Sequence, residues 1–497
     1  MSRPLRVGLA ALVLVGLAWV AYLGSLDYPL LRDDRTLLDN AWLQGEAGIG
    51  SVFGHDYWFG TRHGDSDLYR PVTVLSLAWN WRIAPSRVAF RLVNLLLHAA
   101  VTLLSWWMLC LVFRRWPGAG IEQPELAAWV AAGLFAVHPL AHEAVLFAVG
   151  RAELLAAAFG LAAWVCLLGG RGAVDARCAG SAGMFFLALG SKESAVAWLL
   201  LLAVWWAVTE VSIRSDRLAL RSLIWWSGAL VAFLALRVAA VGWIPYIKPW
   251  IDNPLVLHDP VTRVANAVLL QGLYLAKMVF PYRLTVEYGY DALPALPLLP
   301  WGLPAAAAVA GVWAGIGLLL LRRSRGAWFL WIFTPAAFAV TSNVVFPIGT
   351  IFAERLAYLP LVGFCGVVGY LIERRGGPPW FRALILIVLL LAGAGRTFQR
   401  TLDFRDHATF VEAEARSSPR AVKGLVNAGR SRLRLGRPDA AAELLHRAVE
   451  IWPDYARAWH LLGDAYTAMG QQDRAAVCHE TARQAEVKLR RGGGAPR

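Results

Sequence analysis

Apolar runs of about 20 residues, the length that crosses a bilayer, recur along the first four fifths of the chain and leave little room for any other architecture. They begin at Leu5–Leu23, behind Arg3 and Arg6, and continue at Val88–Phe113, Leu126–Val137, Ala144–Leu168, Ala179–Leu189, Ala195–Val208, Leu223–Val241, Leu303–Leu321, Trp328–Phe346, Ala353–Ile372 and Phe381–Arg396. The run around Phe185 and Leu187 is short enough for a half-helix. Pro71–Ile83 reads as a stretch lying along or dipping into the interface. Val261–Phe280 is interrupted by Arg263, Gln271 and Lys277 and reads as re-entrant or interfacial. Leu5–Leu23 lacks a clean small-x-small cleavage site, so it reads as a first membrane helix and not as a signal peptide. With 58% hydrophobic residues in 497, only 16% charged, and 24 Trp, a soluble core could not hide this surface. The chain is therefore expected to be all-α: a polytopic membrane domain of about eleven spans, residues 1–398, followed by a helical repeat domain.

The surplus of Lys and Arg over Asp and Glu, 48 to 34, first suggests cytoplasmic loops and not nucleic acid. Counted in and out along eleven spans, Arg114–Arg115, Arg171 with Arg177, Arg214–Arg217–Arg221, Arg322–Arg323–Arg325 and Arg374–Arg375 all fall on the side of the N-terminus. A full crossing by Val261–Phe280 would move the last two clusters outside. The N-terminus is thus read as cytoplasmic, with the first loop (27–70), the region 242–300 and everything after 396 outside. Five scattered cysteines form no CxxC pair, so neither a disulfide framework nor a zinc ribbon is expected.

The tail, 399–489, aligns with itself at a shift of 34. Gly429 falls on Gly463, Ala441 on Ala475 and Ala448 on Ala482, and Trp459-x2-Leu462-Gly463-x2-Tyr466 is a tetratricopeptide helix-A pattern. Pro453 and Pro419 close successive units, the second after a partial repeat at Phe404–Ser418. Small residues let the helices touch while Trp459, Leu462 and Tyr466 fill the gaps. So short an array is expected to lean on the membrane domain or on a partner. Residues 490–497 read as a disordered end.

Charged groups within apolar segments need a reason, and here they gather at the outer ends of the helices. Arg151 and Glu153 begin one helix, Lys192 and Glu193 occupy a turn, and His138, His142 and Glu143 another. Glu354 and Arg355 lead into a further helix, Arg237 lies near an outer end, and His98 is two to three turns deeper. A polar cavity open to the outside explains them better than a transport path, which would need polar groups throughout. The first loop adds Asp33 and Asp34, then His55, Asp56, Tyr57 and Trp58, and finally Tyr69 and Arg70. Adjacent carboxylates on a helix point about 100° apart, so one could face a substrate while the other caps 35–40. The alternative is that both only cap, or pair with Arg32 and Arg35. Similarly, Lys192 could pair with Glu193, and Glu354 with Arg355 could clamp a loop. His138 and His142 have a ligand spacing, but Pro139 disturbs it and no further ligand is evident, so no metal is expected.

Several of these motifs together resemble a known family. They are Leu31-Arg32-Asp33-Asp34, Tyr69-Arg70-Pro71, Leu92-Val93-Asn94-Leu95-Leu96-Leu97-His98, His138-Pro139-Leu140-x2-Glu143-Ala144-Val145, Gly150-Arg151-Ala152-Glu153-Leu154-Leu155, Ser191-Lys192-Glu193-Ser194 and Glu354-Arg355-Leu356-x-Tyr358-Leu359-Pro360. They resemble the transmembrane and tetratricopeptide-repeat O-mannosyltransferases and their bacterial relatives. Ile251-Asp252-Asn253-Pro254 through Leu284-Thr285-Val286-Glu287-Tyr288-Gly289-Tyr290 is similar to that family's characteristic domain of unknown function. The resemblance implies a fold of the GT-C glycosyltransferase class and a lipid-linked sugar, polyprenyl-phosphate mannose, as donor, with no further cofactor. It implies Asp33 and Asp34 as the acidic pair with the base, and Arg151, Lys192, Arg70 and Arg355 as phosphate ligands. His98, His138, Glu143, Glu153, Glu193, Glu354 and Tyr358 would line the site. The expected partners are membrane lipid, an exported protein or glycan acceptor, and a protein bound by the repeats; no nucleic acid is expected. The alternative function is a non-catalytic membrane scaffold recruiting envelope partners through its repeats. An Ala/Arg-rich composition without Asn-x-Ser/Thr points to a bacterial inner membrane with the repeats in the periplasm.

Overall fold

A computed structural model describes residues 3–45, 48–61, 68–116, 121, 123–210, 216–242, 250–374 and 378–490. Arg214, Arg375 and the end at 491–497 lie outside the described residues.

Among the described residues the chain is helical throughout. The first part comprises α1 (Arg3–Val20), α2 (Asp33–Leu38), α3 (Ala41–Gln44), α4 (Pro71–Ile83), α5 (Arg87–Arg115), α6 (Pro124–Val137), α7 (His142–Leu146), α8 (Arg151–Gly169) and α9 (Val174–Ser191). It continues through α10 (Ala197–Val208), α11 (Arg217–Val241), α12 (Pro260–Val279), α13 (Leu303–Leu321), α14 (Arg325–Phe338), α15 (Pro360–Glu373) and α16 (Pro379–Leu402). The repeats are α17 (His407–Ser417), α18 (Val422–Arg434), α19 (Pro438–Ile451), α20 (Ala456–Ala468) and α21 (Gln472–Arg490).

By length and composition, five described stretches can cross a membrane: Arg87–Arg115, Arg151–Gly169, Arg217–Val241, Leu298–Leu321 and Pro379–Leu402. A bent pair, Pro124–Val137 with Pro139–Leu146, makes a sixth. The count of eleven is thus not carried by helix length alone, and the differences follow from proline and glycine. The run Ala144–Leu168 is no single helix. Pro139 helps break it from α6 with a 54° bend, and Gly150 turns so tightly that a β-carbon would lie 2.3 Å from the Ala144 carbonyl oxygen. The run Ala353–Ile372 starts as a helix only at Pro360, after a 3-10 turn at Glu354–Ala357. The run Trp328–Phe346 ends at Phe338, three residues past Pro335. Conversely, the run 179–189 lies within an 18-residue helix, Val174–Ser191, and the run from Val261 lies on one continuous 20-residue helix, Pro260–Val279, that ends just before Phe280. Residues 71–83 pack into the bundle, where the Thr73 hydroxyl donates to the Ser191 carbonyl (2.8 Å).

The Arg-rich loops share one end of the bundle. Arg325 pairs with Glu210 (2.6 Å), Arg114 with Glu125 (2.9 Å), and Ile121 bridges to Arg374. The opposite end carries the first loop, the α6–α8 break, the turn after α9 and the approach to α15. Close packing between these ends relies on small residues: a β-carbon on Gly160 would strike the Trp198 ring, and one on Gly369 the Ala127 carbonyl.

Helices α18 and α19 recur 34 residues on as α20 and α21, with Gly429 against Leu445 and Gly463 against His479. The array is docked on the bundle. Helix α16 runs unbroken across 398–399. Its buried Arg400 pairs with Glu414 of α17 (2.6 Å), and the Trp250 ring packs edge-on against Trp452 (4.5 Å).

Candidate functional site

The two adjacent acids have separate fates. Asp34 is fully buried, and its carboxylate accepts the amide N–H groups of Ala148 (2.9 Å) and Val149 (3.0 Å). It therefore satisfies backbone at the α7–α8 break and does not cap 35–40 or offer a free oxygen as base. Arg32 and Arg35 are engaged elsewhere, with Glu287 and with the Leu30 carbonyl. Asp33 is partly exposed and, among the described residues, has neither a hydrogen-bond nor an ion-pair partner.

Burial pushes the Asp34 carboxyl up to about 7, against the pull of the two amides and Arg91. A carboxyl raised above its unfolded value of 3.8 binds its proton more tightly in the fold. Its stabilisation is complete below that value and is lost as pH rises through 7. Thermal unfolding of detergent-solubilised protein should therefore show Asp34→Asn flattening the wild-type decline in melting temperature between pH 4.5 and 7.5. An unchanged slope would place the titration elsewhere.

Asp33 lies in the field of Arg355 and Arg32, and Arg355 forms with Lys192 and Arg70 a set of three cations, each anchored by one carboxylate. Lys192, immediately after α9, pairs with Glu153 of α8. Glu193 accepts from the Arg70 Nε (2.9 Å) and the Tyr69 amide (2.9 Å), and Arg70 lies over the Tyr57 ring. Glu143 accepts from the Arg355 amide (2.8 Å) and pairs with its guanidinium. The pairs form one electrostatic group: Arg355 senses Asp33 and Glu153, and Lys192 senses Arg70 and Arg355. The Arg355 side chain is 33% exposed, the most open of the three. Beside Glu153 a narrow cleft opens between α8, α10, α14 and α15, lined by Ala156, Ala157, Trp198, Thr341 and Leu359.

Other expected site residues make their polar contacts elsewhere, although Tyr358 lies in the field of Glu153 and Glu354 in that of Glu143. Arg151 is fully buried with its donors spent: Nε on the Asn94 Oδ1 (2.9 Å), Nη1 on the Ser76 carbonyl (3.2 Å), and Nη2 on the Asn80 Oδ1 (2.7 Å) and the Phe90 carbonyl (3.0 Å). It is a tie between α4, α5 and α8, with nothing left for a phosphate. His98 bridges the Tyr358 hydroxyl (2.8 Å) and the Ala136 carbonyl (3.0 Å), so both rings are packing groups. His138 caps a turn, with its Nε2 donating to the Met278 carbonyl (2.9 Å). Glu354 lies in a second buried network with Lys277 (3.2 Å), the Thr285 amide (3.1 Å) and the Tyr288 hydroxyl. Among the described residues no group of three or more His, Cys, Asp or Glu is arranged for a metal. Tyr57 and Glu287 are the neighbours that motif reading left unassigned. Tyr57 belongs to the first-loop segment His55–Trp58, while Glu287 meets Arg32 across 255 residues, a pairing no local pattern signals.

An all-α chain with several membrane-length apolar helices and a docked repeat array is a membrane protein with a tetratricopeptide domain. Residues 432–488 match the family model described as Tetratricopeptide repeat. Over most of its length the chain is homologous to the transmembrane and tetratricopeptide-repeat protein O-mannosyl-transferases, as the motifs implied. Protein O-mannosyl-transferase Tmtc3 of Drosophila melanogaster is 29% identical over 88% of this chain and 54% of its own length. Protein O-mannosyl-transferase TMTC4 of Homo sapiens is 26% identical over 87% and 65%. Protein O-mannosyl-transferase Tmtc2 of Drosophila melanogaster is 32% identical over 56% and 30%. The chain thus spans between about half and two thirds of the first two of these relatives.

Proposed function

We propose that this chain is a membrane glycosyltransferase that moves mannose from a polyprenyl-phosphate donor to a hydroxyl of an exported protein or glycan. The reaction is a single displacement with inversion on the outer face of a bacterial inner membrane, with the repeats in the periplasm. The observation that carries this reading is the unpartnered Asp33 carboxylate in the field of Arg355, whose charged group with Lys192 and Arg70 adjoins a cleft through Glu153.

The acceptor hydroxyl gives its proton to Asp33 as its oxygen bonds to the sugar carbon. The bond from that carbon to the phosphate oxygen breaks, and polyprenyl phosphate leaves as an anion that needs no general acid. Arg355, Lys192 and Arg70 supply positive charge for the phosphate and for its growing negative charge. The prenyl chain takes the cleft past Trp198. Homology to named protein O-mannosyl-transferases supports the sugar and a protein acceptor.

The test is incorporation from labelled polyprenyl-phosphate mannose by the reconstituted chain. Arg355→Ala should lower kcat/KM for the donor by roughly 10²-fold, the loss typical of one removed anion-stabilising donor, with normal insertion. Unchanged donor kinetics would remove Arg355 from the phosphate site. The three cations are already paired with carboxylates, which favours as second reading a non-catalytic scaffold recruiting envelope partners. Failure of every lipid-linked sugar to support incorporation would establish it over the first.

A further inference from the structure

Residue 32 has an unusual backbone for a side chain with a β-carbon. Arg32 sits at φ 50°, ψ −122°, immediately before Asp33 opens α2. Such a conformation persists only where its surroundings impose it, and the long-range anchor here is Glu287. The Arg32 guanidinium pairs with the Glu287 carboxylate, whose side chain is nearly buried and whose Oε1 also accepts the Gly289 amide (3.2 Å).

Glu287 is in turn held from the repeat side. Its amide donates to Glu414 of α17 (2.9 Å), and the same Glu414 oxygen receives the Thr285 hydroxyl (2.7 Å) and the Val286 amide. The other Glu414 oxygen takes Arg400 (2.6 Å). Helix α18 closes on the same residue, where a β-carbon on Gly424 would lie 3.4 Å from Glu287 Cγ. A continuous set of polar contacts therefore runs from α17 through 285–287 and Arg32 to the peptide that carries Asp33. The cations of the site belong to other elements and pair with Glu143, Glu153 and Glu193.

We propose that Glu287 is a positioning residue: through Arg32 it fixes the backbone that holds Asp33 beside Arg355, and through Glu414 it makes that placement depend on the seating of the repeats. This rests on the reading of Asp33 as the base. Loss of the Glu287 charge then impairs the base and leaves the donor site intact.

The experiment uses the full chain in detergent, as wild type, Glu287→Gln, Arg32→Glu and the exchange double variant R32E/E287R. Amide hydrogen exchange is followed for a peptide covering residues 30–40, with peptides from α8 and α20 as folding controls. The single variants should exchange at least tenfold faster in 30–40 and unchanged in the controls, and the double variant should regain part of the protection. In the transfer assay Glu287→Gln should lose about tenfold in kcat while the donor KM stays within twofold. Unchanged exchange at 30–40 overturns the proposal, as does a loosened loop with full kcat, or a loss expressed in donor KM. Loss of protection in α8 or α20 as well shows a general structural role and overturns it too. If wild type and Asp33→Asn transfer equally, the parent reading fails, and the exchange result reports separately whether Glu287 holds the loop.

Discussion

Asp33→Asn should reduce sugar transfer by about 10²–10⁴-fold, the contribution of a positioned general base, without loss of folded protein. Asp33 has no hydrogen-bond or ion-pair partner among the described residues, so replacing its carboxylate with an amide breaks no contact. Initial rates with labelled polyprenyl-phosphate mannose, read beside the melting temperature in detergent, separate the two effects. A variant that folds normally and keeps the full rate would take the base role from Asp33. Its neighbour gives the contrast, because Asp34 holds two backbone amides and its substitution acts on stability.

The second large effect falls on a residue that motif reading assigned to the phosphate. Arg151→Ala should destabilise the protein by on the order of 4 kcal/mol or more. It leaves the Asn94 and Asn80 side-chain oxygens and the Ser76 and Phe90 carbonyls without their donor in a buried site, at about 1–3 kcal/mol for each that finds no substitute. Lysine should not rescue it, since a point charge with three donors cannot reproduce a planar fork spanning three helices. Fluorescence-detected size exclusion and thermal unfolding measure this directly. A well-folded Arg151→Ala protein with a raised donor KM would instead return Arg151 to the phosphate.

These two residues illustrate what was legible beforehand. The apolar runs and the shift of 34 announced the membrane helices and the repeats, because both are periodic signals carried by many residues. Helix ends were harder: Pro139, Gly150 and Pro360 divide runs that hydropathy alone joins. The polar cluster was legible as a set of charges at one end of the helices, and Lys192, Arg70, Arg355, Glu143, Glu153 and Glu193 do meet there. Which charge faces the cleft and which is spent on packing depends on neighbours distant in sequence. Arg151 and Arg355 look alike in a motif, yet one is enclosed by Asn80 and Asn94 and the other keeps an open edge beside Asp33. His98 and Tyr358 resemble site residues in their motifs for the same reason, although they bond to each other.

The burial of Arg400 between His142, Asp403 and Glu414 also bears on how the repeats can be used. A solenoid on a slack tether would sweep a wide volume and hand over its cargo by chance encounter. Here the joint is welded by buried ion pairs, so under the proposed transfer reaction a segment gripped along the array would be held at a set range and angle from the bundle. The length of chain between that segment and the acceptor hydroxyl would then work as a ruler.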